Sequence, residues 1–119
     1  MRRRGRDALL TSLLIFCMEE PMRENAFQKE LIIEIKRRFP GAMVLKNDPT
    51  YIQGVPDLLI LHKDKWAALE CKRSYKAKKQ PNQEYYVEKM KEMSFSSFIF
   101  PENREEVLNE LSRTFGVHR

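Results

Sequence analysis

The stretch GVPDLLILHKDKWAALECK, residues 54–72, decides how the chain is read. Two apolar runs within it, PDLLILHK and KWAALECKR, have the length and alternation of β-strands, and Lys63-Asp64-Lys65 between them reads as a hairpin turn. Side chains alternate across a strand. Asp57, Leu59 and Leu61 therefore share one face of the first strand, and Trp66, Ala68, Glu70 and Lys72 share one face of the second. Folding about the turn lays the start of one strand beside the end of the other. Asp57 is thus predicted to meet Glu70 and Lys72 at one end of a sheet. Three ionisable groups in segments otherwise built for burial call for a reason.

Working outward, MRENAFQKELIIEIKRRF places Phe27, Leu31, Ile32, Ile35 and Phe39 at helical spacing, with Pro21 suited to a first turn and Pro40-Gly41 as the stop. AMVLK is a short β-like run and NDPTYIQG a loop. SYKAKKQPNQ is a basic loop, PNQEYYVEKMKEM a second helix that opens on proline, and SFSSFIF a fourth strand ended by Pro101. Asn103 and Glu106 fit a capping pair for a last helix, Arg104 to Phe115, closed by Gly116. The order α-β-β-β-α-β-α predicts an α/β fold around one central sheet.

A chain of 119 residues is expected to form one domain. Residues 22–119 read as that domain and residues 1–21 as an N-terminal extension outside its core. In the extension, Arg2, Arg3, Arg4 and Arg6 precede an apolar run over residues 8–17, like the opening of a secretory signal. CMEEP follows it in place of a small-x-small cleavage site, and Met18 and Met22 offer later starts, so an upstream extension or short amphipathic helix is the expectation. No run approaches the roughly 20 apolar residues of a membrane helix. Cys17 and Cys71 form no disulfide framework and have no zinc-spaced neighbours, which suits reduced thiols of a cytoplasmic protein. A net charge of +5 suits a polyanionic partner without requiring one.

The charged residues carry the chemistry. Two carboxylates side by side repel, and one pKa must rise unless a cation joins them. Mg²⁺ prefers such oxygens, and the backbone carbonyl of Cys71, between Glu70 and Lys72, offers another. Lys72 beside that pair suits positioning of an attacking water or stabilisation of charge developing on a phosphate. Taken alone, Glu70 and Lys72 also read as a same-face ion pair, which is common and weakly stabilising. Glu24 falls on the core-facing stripe of the first helix near its start; it reads either as a third ligand or as an acid favoured by the helix dipole. Gly54 permits an unusual backbone angle or a close approach, Pro56 is tolerated at a strand start, and both also read as simple loop-shaping residues.

At this point the residues resemble the PD-(D/E)XK nuclease superfamily, most nearly its small VRR-NUC-like or phage endonuclease branch with Holliday-junction-resolvase-like enzymes. The resemblance covers residues 22–111 and rests on Glu24 in RENAFQ, on GVPD through Asp57, on LECK through Glu70 and Lys72, and on QPNQ through Gln83. Cys71 departs from it, standing where a β-branched apolar residue is more usual. The resemblance implies a restriction-endonuclease-like αβββαβ core with a mixed four-stranded sheet. It implies Mg²⁺, replaceable by Mn²⁺, on Asp57 and Glu70 with Glu24 direct or through water. It gives Lys72 to the water nucleophile and Gln83 to water or phosphate.

After Glu70 come Lys72, Arg73, Lys76, Lys78 and Lys79, with no acid before Glu84. Beside a phosphodiester-cleaving site that run suits phosphate contacts, with Lys46 and Asn47 opposite; alone, it reads as a solvated loop. Tyr75, Tyr85 and Tyr86 offer rings for stacking on bases, although Tyr85 or Tyr86 is needed for packing. His62 is placed at the far strand end and given no role. The expected activity is a metal-dependent nuclease on DNA, an endonuclease for branched or junction DNA, for which a homodimer suits two symmetric cuts. The competing expectation is a non-catalytic nucleic-acid-binding module on a nuclease fold, and a third is a structural subunit of a larger nuclease.

Overall fold

The computed structural model describes residues 20–117; residues 1–19 of the N-terminal extension, with Cys17 and Met18, lie outside the described residues, and its last two residues open the first helix. The elements are α1 (Glu20–Arg38), β1 (Met43–Lys46), β2 (Leu58–His62), β3 (Lys65–Cys71), α2 (Pro81–Met93), β4 (Phe95–Ile99), a 3-10 turn (Pro101–Asn103) and α3 (Arg104–Phe115). The expected order holds throughout. The strands form one sheet in the order β1-β2-β3-β4, antiparallel except for the parallel pair β3–β4, so the protein is an α/β fold with a mixed sheet and flanking helices. The parallel pair needs a crossover, which α2 supplies.

One sheet face carries the core. Leu58 and Ile60 of β2, Ala67, Leu69 and Cys71 of β3 and Ile99 of β4 pack against Leu31, Ile35 and Phe39 from the α1 side and Leu108 and Leu111 of α3. Of the residues picked out by helical spacing, Leu31, Ile35 and Phe39 lose all contact with water, at roughly 1.5–3 kcal/mol each, while Phe27 and Ile32 are half-buried against the same core. The opposite face, with Trp66, Ala68, Glu70, Ser96 and Phe98, is covered on its β3–β4 side by α2, whose only fully buried residue is Val87.

Local chemistry fixes the ends. Lys63 takes a left-handed conformation (φ 57°) at the tip of the hairpin, and His62 pairs with Lys65 across it. Gly116 closes α3 in the left-handed region, where its N–H bonds back to Arg113 and the N–H of Val117 reaches Ser112. The expected capping pair at the start of α3 is corrected. Asn103 occupies the cap position, but its side chain turns back, accepting from the N–H of Phe100 and donating to the carbonyl of Phe98. The preceding 3-10 turn brings those backbone groups closer to Asn103 than the helix N–H groups it was expected to cap. His62 lies at the hairpin end, buried between the rings of Phe39 and Phe115. No helix among the described residues is long and apolar enough to cross a membrane.

Candidate active site

The antiparallel register pairs Leu58 with Leu69, so the next residue outward on each chain places Asp57 directly opposite Glu70. Lys72 lies two residues further along the same face, and its N–H is held by the Ile99 carbonyl at 2.9 Å. With that N–H given to β4, the N–H of Cys71 turns towards β2, where Asp57 Oδ2 accepts it at 2.9 Å. The aspartate is clamped from behind as well. Asn47 N–H donates to the Asp57 carbonyl at 2.8 Å, and Asn47 Nδ2 donates to the Pro56 carbonyl at 2.6 Å.

Gln83, on the first turn of α2, joins the set together. Its Oε1 accepts from Lys72 Nζ at 2.8 Å and from the N–H of Gln80 at 3.0 Å, and its Nε2 donates to Glu70 Oε2 at 3.3 Å. One amide therefore caps the helix, fixes the lysine and orients the carboxylate. Glu70 and Lys72 are only 4% and 7% exposed, which sets them apart from an ordinary surface ion pair.

Burial pushes Glu70 up to about 8, and the neighbouring Asp57 carboxylate adds to the rise while Lys72 opposes it. A hydrogen bond from the protonated form of Glu70 to Asp57 adds to the same rise. Burial also raises Glu24, which feels Lys72, then Asp57, then Arg73; the second turn of α1 thus delivers its carboxylate to the same strand end. Cys71 lies on the core face beside Gln28. Burial, then the charges of Asp57 and Glu70, push its thiol far up, so it stays protonated and is no nucleophile here.

The carboxylates fit a hard divalent cation, which would replace the Glu70 proton and lift the repulsion that raises Glu70. Among the described residues no three of Asp, Glu, His and Cys close on one point as a complete cage. A cation here would rest on Asp57 and Glu70, with water or the nearby Cys71 carbonyl filling its shell, as Mg²⁺ commonly accepts.

The predicted nucleic-acid residues divide. Lys76 and Lys78 stand exposed on the loop before α2, Arg73 is half-buried near Glu24, and Lys46 is exposed on the edge strand. Lys79 Nζ lies over the Phe98 ring at 4.8 Å, which pins the loop to β4, and Asn47 spends its amide on Pro56. Of the tyrosines, Tyr75 and Tyr85 are exposed, while Tyr86 is half-buried and meets Tyr85 edge to face. Gly54 takes the unusual backbone angle that its sequence reading allowed, and the close approach it makes is to α2. Gly54 has φ 92°, and a Cβ there would stand 2.7 Å from Asn82 Cγ and 2.8 Å from its backbone carbon, one residue before Gln83. Gly54→Ala is expected to cost about 2–3 kcal/mol in urea unfolding, from the left-handed backbone and the clash with α2. Wild-type stability in that variant would show that the loop does not pack on α2 as described.

Compared with known proteins, the chain matches no family model, and no curated protein is significantly similar to it.

Proposed function

We propose that the protein is a metal-dependent nuclease that hydrolyses DNA phosphodiester bonds on a restriction-endonuclease-like core. The observation that supports this most is the buried set at one strand end: Asp57 facing Glu70, with Lys72 beside them and Gln83 bonded to both Lys72 and Glu70. A structural ion pair needs no second carboxylate, and a structural carboxylate pair needs no lysine.

When bound, a divalent cation supplies positive charge for the phosphate and lowers the pKa of the attacking water. Asp57 and Glu70 would hold it, with Glu24, which feels the same strand end, as the residue that would reach it directly or through water. Lys72, its ammonium fixed by Gln83 Oε1, faces the phosphate and stabilises the negative charge that grows on it. Gln83 Nε2 keeps Glu70 turned towards Asp57. The water oxygen bonds phosphorus in line and gives up a proton to solvent, the P–O3′ bond breaks, and O3′ takes a proton from solvent, which leaves a 5′-phosphate and a 3′-hydroxyl.

The test uses purified protein, end-labelled linear duplex and four-way junction DNA, and Mg²⁺, Mn²⁺ or EDTA. Cleavage in Mg²⁺ that stops in EDTA and leaves 5′-phosphate ends is the expected result, with the junction cut faster. Tight binding to either DNA with no cleavage in Mg²⁺ or Mn²⁺ would replace the nuclease with a binding module on the same fold.

A further inference from the structure

We propose that Asn47 is a positioning residue of the cation site: it touches neither the cation nor DNA, and it sets the affinity for the cation by holding the backbone on both sides of Asp57. The inference rests on the metal site of the nuclease reading and adds to it the residue that aims the aspartate.

Asn47 bonds two successive carbonyls. Its side-chain Nδ2 donates to the Pro56 carbonyl at 2.6 Å, and its backbone N–H donates to the Asp57 carbonyl at 2.8 Å. The first carbonyl belongs to the planar peptide before the Asp57 Cα and the second to the peptide after it. One residue therefore orients both planes. The two dihedrals of Asp57 are the only soft ones between those planes, so they are set together, and with them the direction in which the side chain leaves the strand. The tip of that side chain is held from β3, where the N–H of Cys71 donates to Oδ2 at 2.9 Å. Asp57 is thus fixed at its root by Asn47 and at its end beside Glu70.

The local sequence explains why a side chain supplies one of these bonds. The β1–β2 pairing ends at Lys46 and Leu58, and the N–H of Asn47 extends it by one bond. The chain then turns away. Asp48 Oδ1 accepts from the N–H and Oγ of Thr50, the Asp48 carbonyl accepts from the N–H of Tyr51, and Pro49 between them has no N–H to give. Pro56 is fully buried, so its carbonyl needs a donor from within the protein, and the half-buried Asn47 amide provides it. Removing the amide leaves that carbonyl unpaired and the peptide ahead of Asp57 free to rotate. Groups that orient a metal ligand in this way commonly govern metal affinity by roughly 10–100-fold. A phosphate contact by the same amide is the competing role, and DNA binding without metal separates the two.

Mn²⁺ binding to the full chain, without DNA and at neutral pH, is measured from the paramagnetic resonance signal of the free ion. Asn47→Ala is expected to raise the Kd roughly tenfold. Asn47→Asp keeps the shape, replaces the donor with an acceptor and adds a negative charge. Charge alone would tighten a cation, whereas a lost clamp weakens it, and a raised Kd is the expected result. Thr50→Ala removes a neighbouring bond to Asp48 and spares both Asn47 bonds, so its Kd should stay within about twofold of wild type. Asp57→Asn should lose the ion. In EDTA, Asn47→Ala should bind labelled duplex DNA within about twofold of wild type. Cooperative melts of each variant exclude misfolding. An unchanged Kd in Asn47→Ala, a tighter ion in Asn47→Asp, an equal loss in Thr50→Ala, Mn²⁺ retained by Asp57→Asn, or weakened duplex binding in EDTA would each overturn the proposal. Mn²⁺ binding that depends on Asn47 without DNA cleavage removes the nuclease alone; cleavage with Mn²⁺ binding that ignores Asn47 removes the positioning role alone.

Discussion

In EDTA, the wild-type protein is expected to lose stability as pH rises from about 4.5 to about 8, and Glu70→Gln is expected to lose far less. Glu70 is pushed up to about 8 in the folded state, from an ordinary value of 4.5. The folded protein therefore binds the extra proton in that window and the unfolded chain does not. The stabilisation is complete below the unfolded value and disappears as pH climbs through the folded one. At about 1.4 kcal/mol per pH unit, the wild type should fall relative to Glu70→Gln by roughly 3–5 kcal/mol between pH 4.5 and 8.5. The glutamine keeps an oxygen for Gln83 Nε2 and gives Asp57 a permanent donor in place of the proton. Mg²⁺ should restore wild-type stability at pH 8.5 and do little for the variant, because it substitutes for the proton only where two carboxylates meet. Urea titrations of both proteins across this range decide it. Parallel curves would mean that its buried place beside Asp57 does not raise Glu70.

Lys72→Met should lower the single-turnover rate of Mg²⁺-dependent DNA cleavage by about 10²–10⁴-fold, the usual worth of a positioned acid, base or charge-stabilising group. Methionine keeps the unbranched bulk and removes the ammonium. The variant should fold, since Gln83 Oε1 retains the N–H of Gln80 when the lysine is gone. It should also keep the Mg²⁺-induced rise in melting temperature, because Asp57 and Glu70 remain. Loss of both the rate and the metal response would assign Lys72 to structure. A rate within tenfold of wild type would leave it without a catalytic role.

Much of this site could be read from the sequence, because the hairpin is local. A tight turn at Lys63-Asp64 and a strict two-residue alternation leave Asp57 few places to go except opposite Glu70, and the observed register puts it there. The burial of Leu31, Ile35 and Phe39 was legible for the same reason, a short repeat along one helix. Contacts between segments far apart in the chain were not. No pattern in residues 47–57 shows that Gly54 touches Asn82, or that Lys79 is drawn over Phe98. Gln83 came to notice only through resemblance, since a glutamine on the first turn of a helix carries no signal of its own; its bonds to both Lys72 and Glu70 appear once the α2 crossover is in place. Asn103 was misread because a cap residue and a turn residue share the same chemistry, and only the 3-10 turn before it selects between them.

The way α2 is held has a consequence for turnover. Val87 is its one fully buried side chain, whereas α3 buries Val107, Leu108, Leu111 and Phe115. The seat of α2 on β3 and β4 therefore leans on contacts at its two ends, Asn82 against Gly54 and Gln83 on Lys72 and Glu70 at the start, and Ser94 on the Trp66 carbonyl just past the end. Were α2 displaced, Lys72 and Glu70 would lose their common partner. Docking of this one segment and assembly of the proposed reacting groups are then the same event, since the first turn of the crossover carries the residue that joins them.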